Sequence, residues 1–222
     1  MKLITKITGP QKFASLFNVS RETMERLELY VELLRTWQKA VNLIAPSTLD
    51  EVWHRHVGDS AQIVDILRES DSAKKSGIWL DMGSGAGFPG LVAAIMLSQD
   101  FDYQFHLVES NGRKCAFLSD VVRHLNLSVE IRNERVEDYA DSMQGKQVSI
   151  VSARALTSLD RLLALSEPFL SAETVAYFFK GREVASEIEL AEQDWVFAQR
   201  QLPSCTSTDG CILEIKNLVR RD

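Results

Sequence analysis

Ten residues of the 222-residue chain carry its densest chemical signal: Asp81-Met82-Gly83-Ser84-Gly85-Ala86-Gly87-Phe88-Pro89-Gly90. An apolar run, 78–82, leads into them and another, 90–97, leads out, which is the pattern of a strand, a glycine turn and a helix. Alternating glycines allow a tight turn and close backbone approach to a ligand, and the helix N-terminus behind them offers unpaired N–H groups. Pro89 suits the first turn of that helix, where its missing N–H costs nothing. Glycine turns also join strands to helices in α/β proteins that bind nothing there. Three alternating glycines behind an acidic strand end are much less common.

Two ligand classes compete for such a loop. Gly85-Ala86-Gly87-Phe88-Pro89-Gly90 fits the dinucleotide pattern G-x-G-x-x-G literally, but Gly83 and Ser84 stand between it and the strand end where that fingerprint should begin. Asp81 discriminates further. Its carboxylate would repel a pyrophosphate, whereas it suits the amino acid moiety of S-adenosylmethionine, met through water or through the ammonium group. The loop therefore predicts an S-adenosylmethionine site that uses Asp81, Gly83, Ser84, Gly85, Gly87 and Phe88, with S-adenosylhomocysteine as product. Glu109 ends the next apolar run, 22 positions after Gly87 (109 − 87), about the separation of an acid that binds ribose hydroxyls. Two acceptor oxygens suit a vicinal diol of any nucleoside; a solvated strand-end Glu is the bland alternative. After the third run, Arg135, Val136 and Glu137 are placed to meet the adenine ring, unless the adjacent acids Glu137 and Asp138 are plain surface charge.

The elements that must position these residues follow from periodicity. Strand-like runs at 78–82, 104–108, 129–132, 148–152 and 174–179 alternate with helical patterns at 89–97, 113–125, 158–167 and 184–193, and 196–201 with 211–216 reads as a closing antiparallel pair. Such alternation implies right-handed crossovers and a mostly parallel sheet, with ligands beyond the carboxyl ends of the strands. The fold class is α/β: a Rossmann-like class I methyltransferase fold, a mostly parallel seven-stranded sheet with an antiparallel end, plus N-terminal helices. In the first 76 residues, Ser20 is an N-cap and Met24, Leu27, Val31, Leu34 and Val41 form one helical face opposite Glu25, Glu28, Glu32 and Arg35. A second amphipathic stretch covers 61–67, with Asp59-Ser60 as its cap, and the polar run 69–77 reads as a surface loop. Residues 1–76 are thus expected to be a helical extension packed on a catalytic domain of residues 77–222. Trp37 reads as core, and Asn42 either bonds to the cofactor loop or ends its helix.

Composition sets outer bounds. A 222-residue chain that is 45% hydrophobic can bury one sizeable core. No apolar run approaches the roughly 20 residues of a membrane span. The segment Met1-Lys2-Leu3-Ile4-Thr5-Lys6-Ile7 has a basic start but no apolar core or cleavage site, so no signal peptide is expected. Cys115, Cys205 and Cys211 are odd in number and lack metal-ligand spacing, which points to a reducing, cytoplasmic setting. A net charge of −6 argues against a generic nucleic-acid binder, whose affinity rests on neutralising phosphates. It leaves an enzyme with a local basic patch, or one whose substrate is presented by a larger particle. Neither a membrane nor an obligate protein partner is expected.

Motifs beyond the loop are more specific. Trp37-Gln38-Lys39-Ala40-Val41-Asn42-Leu43 looks like W-x-K-x-x-N-L, and Arg55-His56-Val57-Gly58-Asp59-Ser60 is similar to R-H-x-x-D-S. With them stand the Phe88-Pro89-Gly90 extension, Arg113-Lys114-Cys115-Ala116-Phe117-Leu118, Ser152-Ala153-Arg154-Ala155 and Lys180-Gly181. Together, over about 37–181, the chain resembles the bacterial small-subunit rRNA guanine-N7 methyltransferases, the glucose-inhibited division protein B family. Two departures are Ile44-Ala45, where the family often has Thr and a further residue, and Ala153 between Ser152 and Arg154, where the family commonly has Ser and Arg adjacent. The resemblance implies methyl transfer from S-adenosylmethionine to N7 of a guanosine in 16S rRNA, at position 527 of the 530 loop. The RNA would be met within a small ribosomal subunit particle. A methyltransferase acting on a small molecule or another RNA is the alternative.

That chemistry agrees with what the fourth strand lacks. Exocyclic-amine methyltransferases usually carry an Asn/Asp-Pro-Pro-aromatic motif there and pyrimidine C5 enzymes need a cysteine nucleophile; Val151-Ser152-Ala153-Arg154 offers neither, and Cys115 reads as packing. Guanine N7 has an exposed lone pair and no proton at neutral pH, so no general base is needed and positioning must supply the acceleration. Arg154 is the candidate catalytic residue, expected both to bind the cofactor and to donate to guanine O6 or a phosphate; an ion pair with Glu137 or Asp160 is its structural alternative. Arg135, Lys180 and Arg182 are expected to join Arg154 in a basic rim, with Arg55, His54 and His56 adding to it, so that Arg154, Lys180, Arg182 and Arg55 contact RNA. His54 and His56, two apart, do not share a helix face, and no metal site is expected.

Overall fold

A computed structural model describes residues 6–70, 76–143 and 145–221. Residues 1–5 and 71–75 lie outside the described residues, and with them part of the N-terminal segment and of the polar run 69–77.

The N-terminal region folds into α1 (Pro10–Phe17), α2 (Arg21–Trp37) and α3 (Asp59–Arg68). Ser20 caps α2 as its position predicts, its Oγ accepting the Thr23 N–H at 3.1 Å. The helix buries Met24, Leu27, Val31 and Leu34, and also Tyr30, a polar-tipped residue on the same stripe. It stops at Trp37, short of Val41, where Gln38 takes over. The Gln38 Oε1 accepts from the N–H groups of Leu43 and Ile44 and its Nε2 donates to the Ile44 carbonyl, which satisfies a non-helical backbone. Asn42 is exposed, with only a 3.5 Å contact from Gln38, so neither role expected for it holds. Trp37 is half-buried against Phe117, with its indole N–H on Asp120.

Helix α3 has no cap of the expected kind. One turn of π-helix, Trp53–Gly58, runs straight into it, so Gly58 and Asp59 already have helical dihedrals and the first-turn N–H groups have partners in the preceding turn. The Asp59 carboxylate is thereby free to point elsewhere, and it does.

From residue 76 the chain alternates as β1 (Ser76–Met82), α4 (Gly90–Leu97), β2 (Asp102–Val108), α5 (Gly112–Leu125), β3 (Val129–Arg132), α6 (Val136–Ser142), β4 (Val148–Arg154), α7 (Leu159–Ser166), β5 (Val175–Lys180), α8 (Val184–Ala191), β6 (Trp195–Pro203) and β7 (Cys211–Arg220). The seven strands are ordered β3-β2-β1-β4-β5-β7-β6. The first five are parallel, and β7 runs antiparallel to both neighbours, closing the sheet as the sequence suggests. Strand order reverses between β1 and β4, so the crevice for a ligand lies at their carboxyl ends. Strand β4 runs two residues past 152, which makes Arg154 its last residue. Helix α6 is new relative to the sequence pattern; at seven residues it is too short to show a period.

Helix α4 is buried on every side. It lies between the sheet and the N-terminal helices, with α2 and α3 both in contact with it, which is why its sequence is apolar throughout. Leu27, Leu34, Val57 and Ile63 therefore share one apolar cluster with Trp79, Leu91 and Phe117. A second cluster, under α6, α7 and α8, fills the other face of the sheet. No helix among the described residues is long and apolar enough to cross a membrane.

Because α2 and the sheet share a core, Leu27→Ala is expected to cost about 2–5 kcal/mol and to shift a single cooperative unfolding transition in urea. Two separate transitions, with only one displaced, would show that the helices fold apart from the sheet.

Candidate active site

The site begins with Asp81, which β1 carries fully buried to its carboxyl end. Pairing of β1 with β4 sets Asp81 opposite Ser152. The Trp79 indole N–H donates to Ser152 Oγ at 2.9 Å, and Ser152 Oγ donates to Asp81 Oδ1 at 2.6 Å. Asp81 Oδ2 is buried and lacks a well-formed hydrogen bond, although it faces the backbone of Gly90. Burial pushes this carboxyl up to about 6, against the opposing effects of Ser152, Ser84, the Gly90 backbone and the charge of Arg154. A buried acceptor without a donor is costly unless something polar completes it.

The glycine loop wraps over this carboxylate. A Cβ at Gly90 would sit 2.7 Å from Asp81 Oδ2, and one at Gly83, where φ is +64°, would sit 2.5 Å from Leu156 Cδ1. Three side chains pin the loop. The Ser84 Oγ donates to the Asp81 carbonyl, Glu109 Oε2 accepts the Gly85 N–H at 2.9 Å, and the Tyr30 hydroxyl donates to the Ala86 carbonyl at 2.5 Å. Pro89 stands at the N-cap of α4, one position earlier than its type predicts, and the Phe88-Pro89 bond is cis.

Two cavities open at this end of the sheet. The first, of about 240 Å³, is lined by Gly83, Glu109, Arg135, Val136, Glu137 and Leu156, among others. It unites five of the residues expected to hold a nucleoside. Glu109 accepts N–H groups from Gly85 and Asn111, and each of its oxygens keeps a lone pair for a further donor such as a hydroxyl. Of the other expected residues, Asp81 and Ser84 lie buried behind the loop, and Gly85 and Gly87 form it. Phe88 turns away from the first cavity, and its ring packs on Tyr30, on His56 and beneath Arg154.

The second cavity, of about 380 Å³, lies across the 154–157 segment and is lined by Arg55, His56, Asp59, Arg154, Lys180 and the β6–β7 turn. Arg154 and Ala155 border it, while Leu156 and Thr157 border the first. Ala155 adopts φ +53°, a left-handed conformation rare for a residue with a Cβ, in the middle of this shared wall.

Arg154 is held tightly. Its Nη1 donates to the Arg55 carbonyl and to Asp59 Oδ2, each at 2.9 Å, its Nη2 donates to His56 Nδ1 at 2.5 Å, and its guanidinium stands 5.2 Å from the Phe88 ring centre. The ion pair is therefore with Asp59. Glu137 instead meets Arg161, and Asp160 accepts from Trp195.

The continuous basic rim does not form. Lys180 is buried, paired with Glu187 and donating to the Thr157 carbonyl. Arg182 is exposed, paired with Asp209, and borders a separate groove; Arg135 borders the first cavity. His54 is buried, its Nδ1 accepting from Ile7. Only Arg55 stands with Arg154 at the second cavity without a side-chain ion partner among the described residues.

With this geometry in view, comparison with known proteins is specific. The family model described as rRNA small subunit methyltransferase G matches residues 23–215. The Ribosomal RNA small subunit methyltransferase G of Parvibaculum lavamentivorans is 41% identical over 213 residues, covering 96% of this chain and 91% of that protein. The protein of the same name from Methylorubrum populi is 45% identical over 205 residues, 92% of this chain and 93% of the relative. The chain belongs to the small subunit methyltransferase G family. Among solved structures, precorrin-6y C5,15-methyltransferase from Geobacter metallireducens aligns with a TM-score of 0.52 at 12% identity, covering 80% of this chain and 92% of that one. A mutant of MtNAS in complex with S-adenosylmethionine aligns with a TM-score of 0.56 at 12% identity, covering 96% and 86%. These two likenesses concern the fold, the Rossmann-like class I methyltransferase architecture.

Family membership extends beyond the 37–181 span that the motifs mark, and the structure gives those motifs places. Gln38 of the first supports the turn after α2; His56 and Asp59 of the second reach Arg154. Tyr30, Leu156 and Thr157 are site residues that motif reading missed. Tyr30 had a signal, a hydroxyl on a buried helical stripe; Leu156 and Thr157 had none, since a loop residue shows no period.

Strain at Ala155 predicts a split between two substitutions. Ala155→Val is expected to destabilise the protein by about 1–2 kcal/mol, because a branched Cβ worsens the left-handed backbone, and Ala155→Gly to stay within about 1 kcal/mol of wild type. Urea unfolding checks both, and equal losses would contradict the assignment.

Proposed function

We propose that the chain transfers a methyl group from S-adenosylmethionine to N7 of a guanosine in 16S rRNA. One observation carries the reading: an arginine is fixed at the second cavity, and among the described residues no group beside it is free to act as a base or nucleophile. The His56 Nδ1 lone pair is taken by Arg154, Asp59 is paired, and Glu187 is bound to Lys180. Cys211 borders the cavity, but burial pushes its thiol up and away from the reactive thiolate. A site with a positioned cation and no base suits an acceptor that has a lone pair and no proton to lose.

The residues present fit the cofactor. Asp81 offers a buried, incompletely paired carboxylate oxygen toward the glycine loop, the complement of an amino acid ammonium or of a water bound to one. Glu109 would receive the ribose hydroxyls, and Arg135, Val136 and Glu137 would border the adenine. When bound, S-adenosylmethionine supplies a methyl group activated by its sulfonium. Arg154 then orients the guanosine at the second cavity, while Gly83 and Leu156 line the first, on the other side of the 154–157 wall.

Residues 1–76 act in this reading as an extension of the methyltransferase domain of 77–222. A net charge of −6 supports recognition of the RNA within a small-subunit particle, since the chain lacks the general basicity that free RNA would reward; position 527 of the 530 loop is what the family resemblance alone implies.

The titration of Asp81 yields a signed prediction. Its ionised form favours a cationic ligand and its carboxyl titrates at about 6, so affinity is full above that pH and is lost as pH falls through it. Calorimetry should find S-adenosylmethionine binding nearly constant from pH 7 to 8 and roughly tenfold weaker near pH 5; a flat profile would contradict the role of Asp81. Arg154→Ala should bind the cofactor within about twofold of wild type and lose on the order of 100-fold in kcat. Undiminished turnover would defeat the positioning role.

A further inference from the structure

Arg154 is surrounded by more order than an ion pair requires. Arginine only donates, so His56 Nδ1 must accept with its lone pair and the ring proton must sit on Nε2. Nε2 lies 2.8 Å from Thr48 Oγ1, whose own hydrogen is directed to the Ala45 carbonyl at 2.8 Å. The chain of donors therefore has one direction, and the imidazole has one tautomer and one orientation. Burial and the charges of Arg154 and Arg55 hold the ring neutral, with its pKa lowered to about 3. Asp59 is fixed just as firmly from the opposite side. Its Oδ1 accepts from Thr206 of the β6–β7 turn at 2.7 Å and from Gln62 of α3 at 3.1 Å, which leaves Oδ2 for Arg154.

These contacts use three of the five guanidinium N–H groups, two on Nη1 and one on Nη2, and leave one on Nε and one on Nη2. The remaining pair matters chemically. An arginine free to turn binds guanine most readily with both O6 and N7, and in that pose it would occupy the very lone pair that must attack the methyl group. Resting on the reading that guanine N7 is the acceptor, we propose that His56 and Asp59 are positioning residues that fix Arg154 in one orientation, with its free edge directed to O6 of the target guanosine.

The two nitrogens of His56 can be tested apart. Asn places an amide oxygen near the position of Nδ1 and keeps the acceptor for Arg154, whereas Gln reaches toward Nε2 and keeps the Thr48 contact while giving up that acceptor. In steady-state methylation of small-subunit particles, His56→Asn should retain kcat within about threefold. His56→Gln should lose about 30-fold or more in kcat, with KM for the particle, cofactor affinity and melting temperature close to those of His56→Asn. Equal kcat for the two variants would overturn the proposal. Should His56→Gln fail to fold, His56→Leu removes the acceptor for Arg154 while keeping an apolar side chain of similar bulk; a kcat loss of about 30-fold or more relative to His56→Asn is expected, and equal kcat for the two would overturn the proposal.

Particles carrying 2-aminopurine, which keeps N7 and lacks O6, at the target position identify the atom contacted. The loss caused by His56→Gln should largely vanish on that substrate; an undiminished loss would mean that Arg154 meets a phosphate and would overturn the O6 assignment. Activity lost in Arg154→Ala but intact in His56→Gln refutes this proposal alone. Absence of N7-methylguanosine from the wild-type product refutes the function on which it rests.

Discussion

Asp81 is a carboxylate buried at the end of the central strand with one oxygen hydrogen-bonded and the other not, and much of the site is arranged around that imbalance. Raising its pKa to about 6 means that ionising it at neutral pH costs about 3 kcal/mol more than in water. The structure limits the cost from two sides. Trp79 and Ser152 form a donor chain that ends on Oδ1, and Arg154, two residues beyond Ser152 on the same strand, contributes favourable charge. The pairing of β1 with β4 therefore does more than build the sheet, because it links the cofactor loop to the segment that carries the arginine. Gly90 belongs to the same constraint, since any side chain there would strike the carboxylate.

A second dependence runs through the N-terminal helices. Tyr30 of α2 holds the Ala86 carbonyl of the glycine loop, and His56 and Asp59, from the π turn and the start of α3, hold Arg154. Phe88 lies where both meet, against Tyr30 on one side and His56 and Arg154 on the other. The loop and the arginine are thus oriented from outside the sheet, by residues that a division of the chain at 76 would assign to an accessory part. Thr206, in the β6–β7 turn, reaches the same network through Asp59. Segments far apart in sequence close the second cavity together.

Much of the fold was legible because each parallel strand is short, apolar and bounded by a turn, so periodicity locates it within two or three residues. The cofactor loop was legible for a different reason: glycine spacing and an acid report backbone geometry directly. What escaped were contacts made between elements. Asp59 looks like a helix cap when only its neighbours are considered, and it is not one because a π turn continues the helix behind it. Lys180 looks like an RNA contact by type, yet its side chain is buried against Glu187, seven residues further along and adjacent across the β5–α8 turn. Arg154 was recognisable as a functional arginine, while its partners were not, because sequence distance carries no signal for a pair such as Asp59 and Arg154 that the topology brings together.

The chemistry that follows is one of placement. His56 and Asp59 are engaged in holding Arg154, and burial keeps the Cys211 thiol from its reactive form, which leaves a cavity suited to a nucleophile that needs orientation and no deprotonation. The most direct test is to incubate the enzyme, small-subunit particles lacking the modification and S-adenosylmethionine bearing a deuterated methyl group, then digest the 16S rRNA and locate the label by mass spectrometry. The account predicts label in N7-methylguanosine at one site. Label on an exocyclic amine, a ribose or a pyrimidine carbon, or none despite bound cofactor, would contradict it.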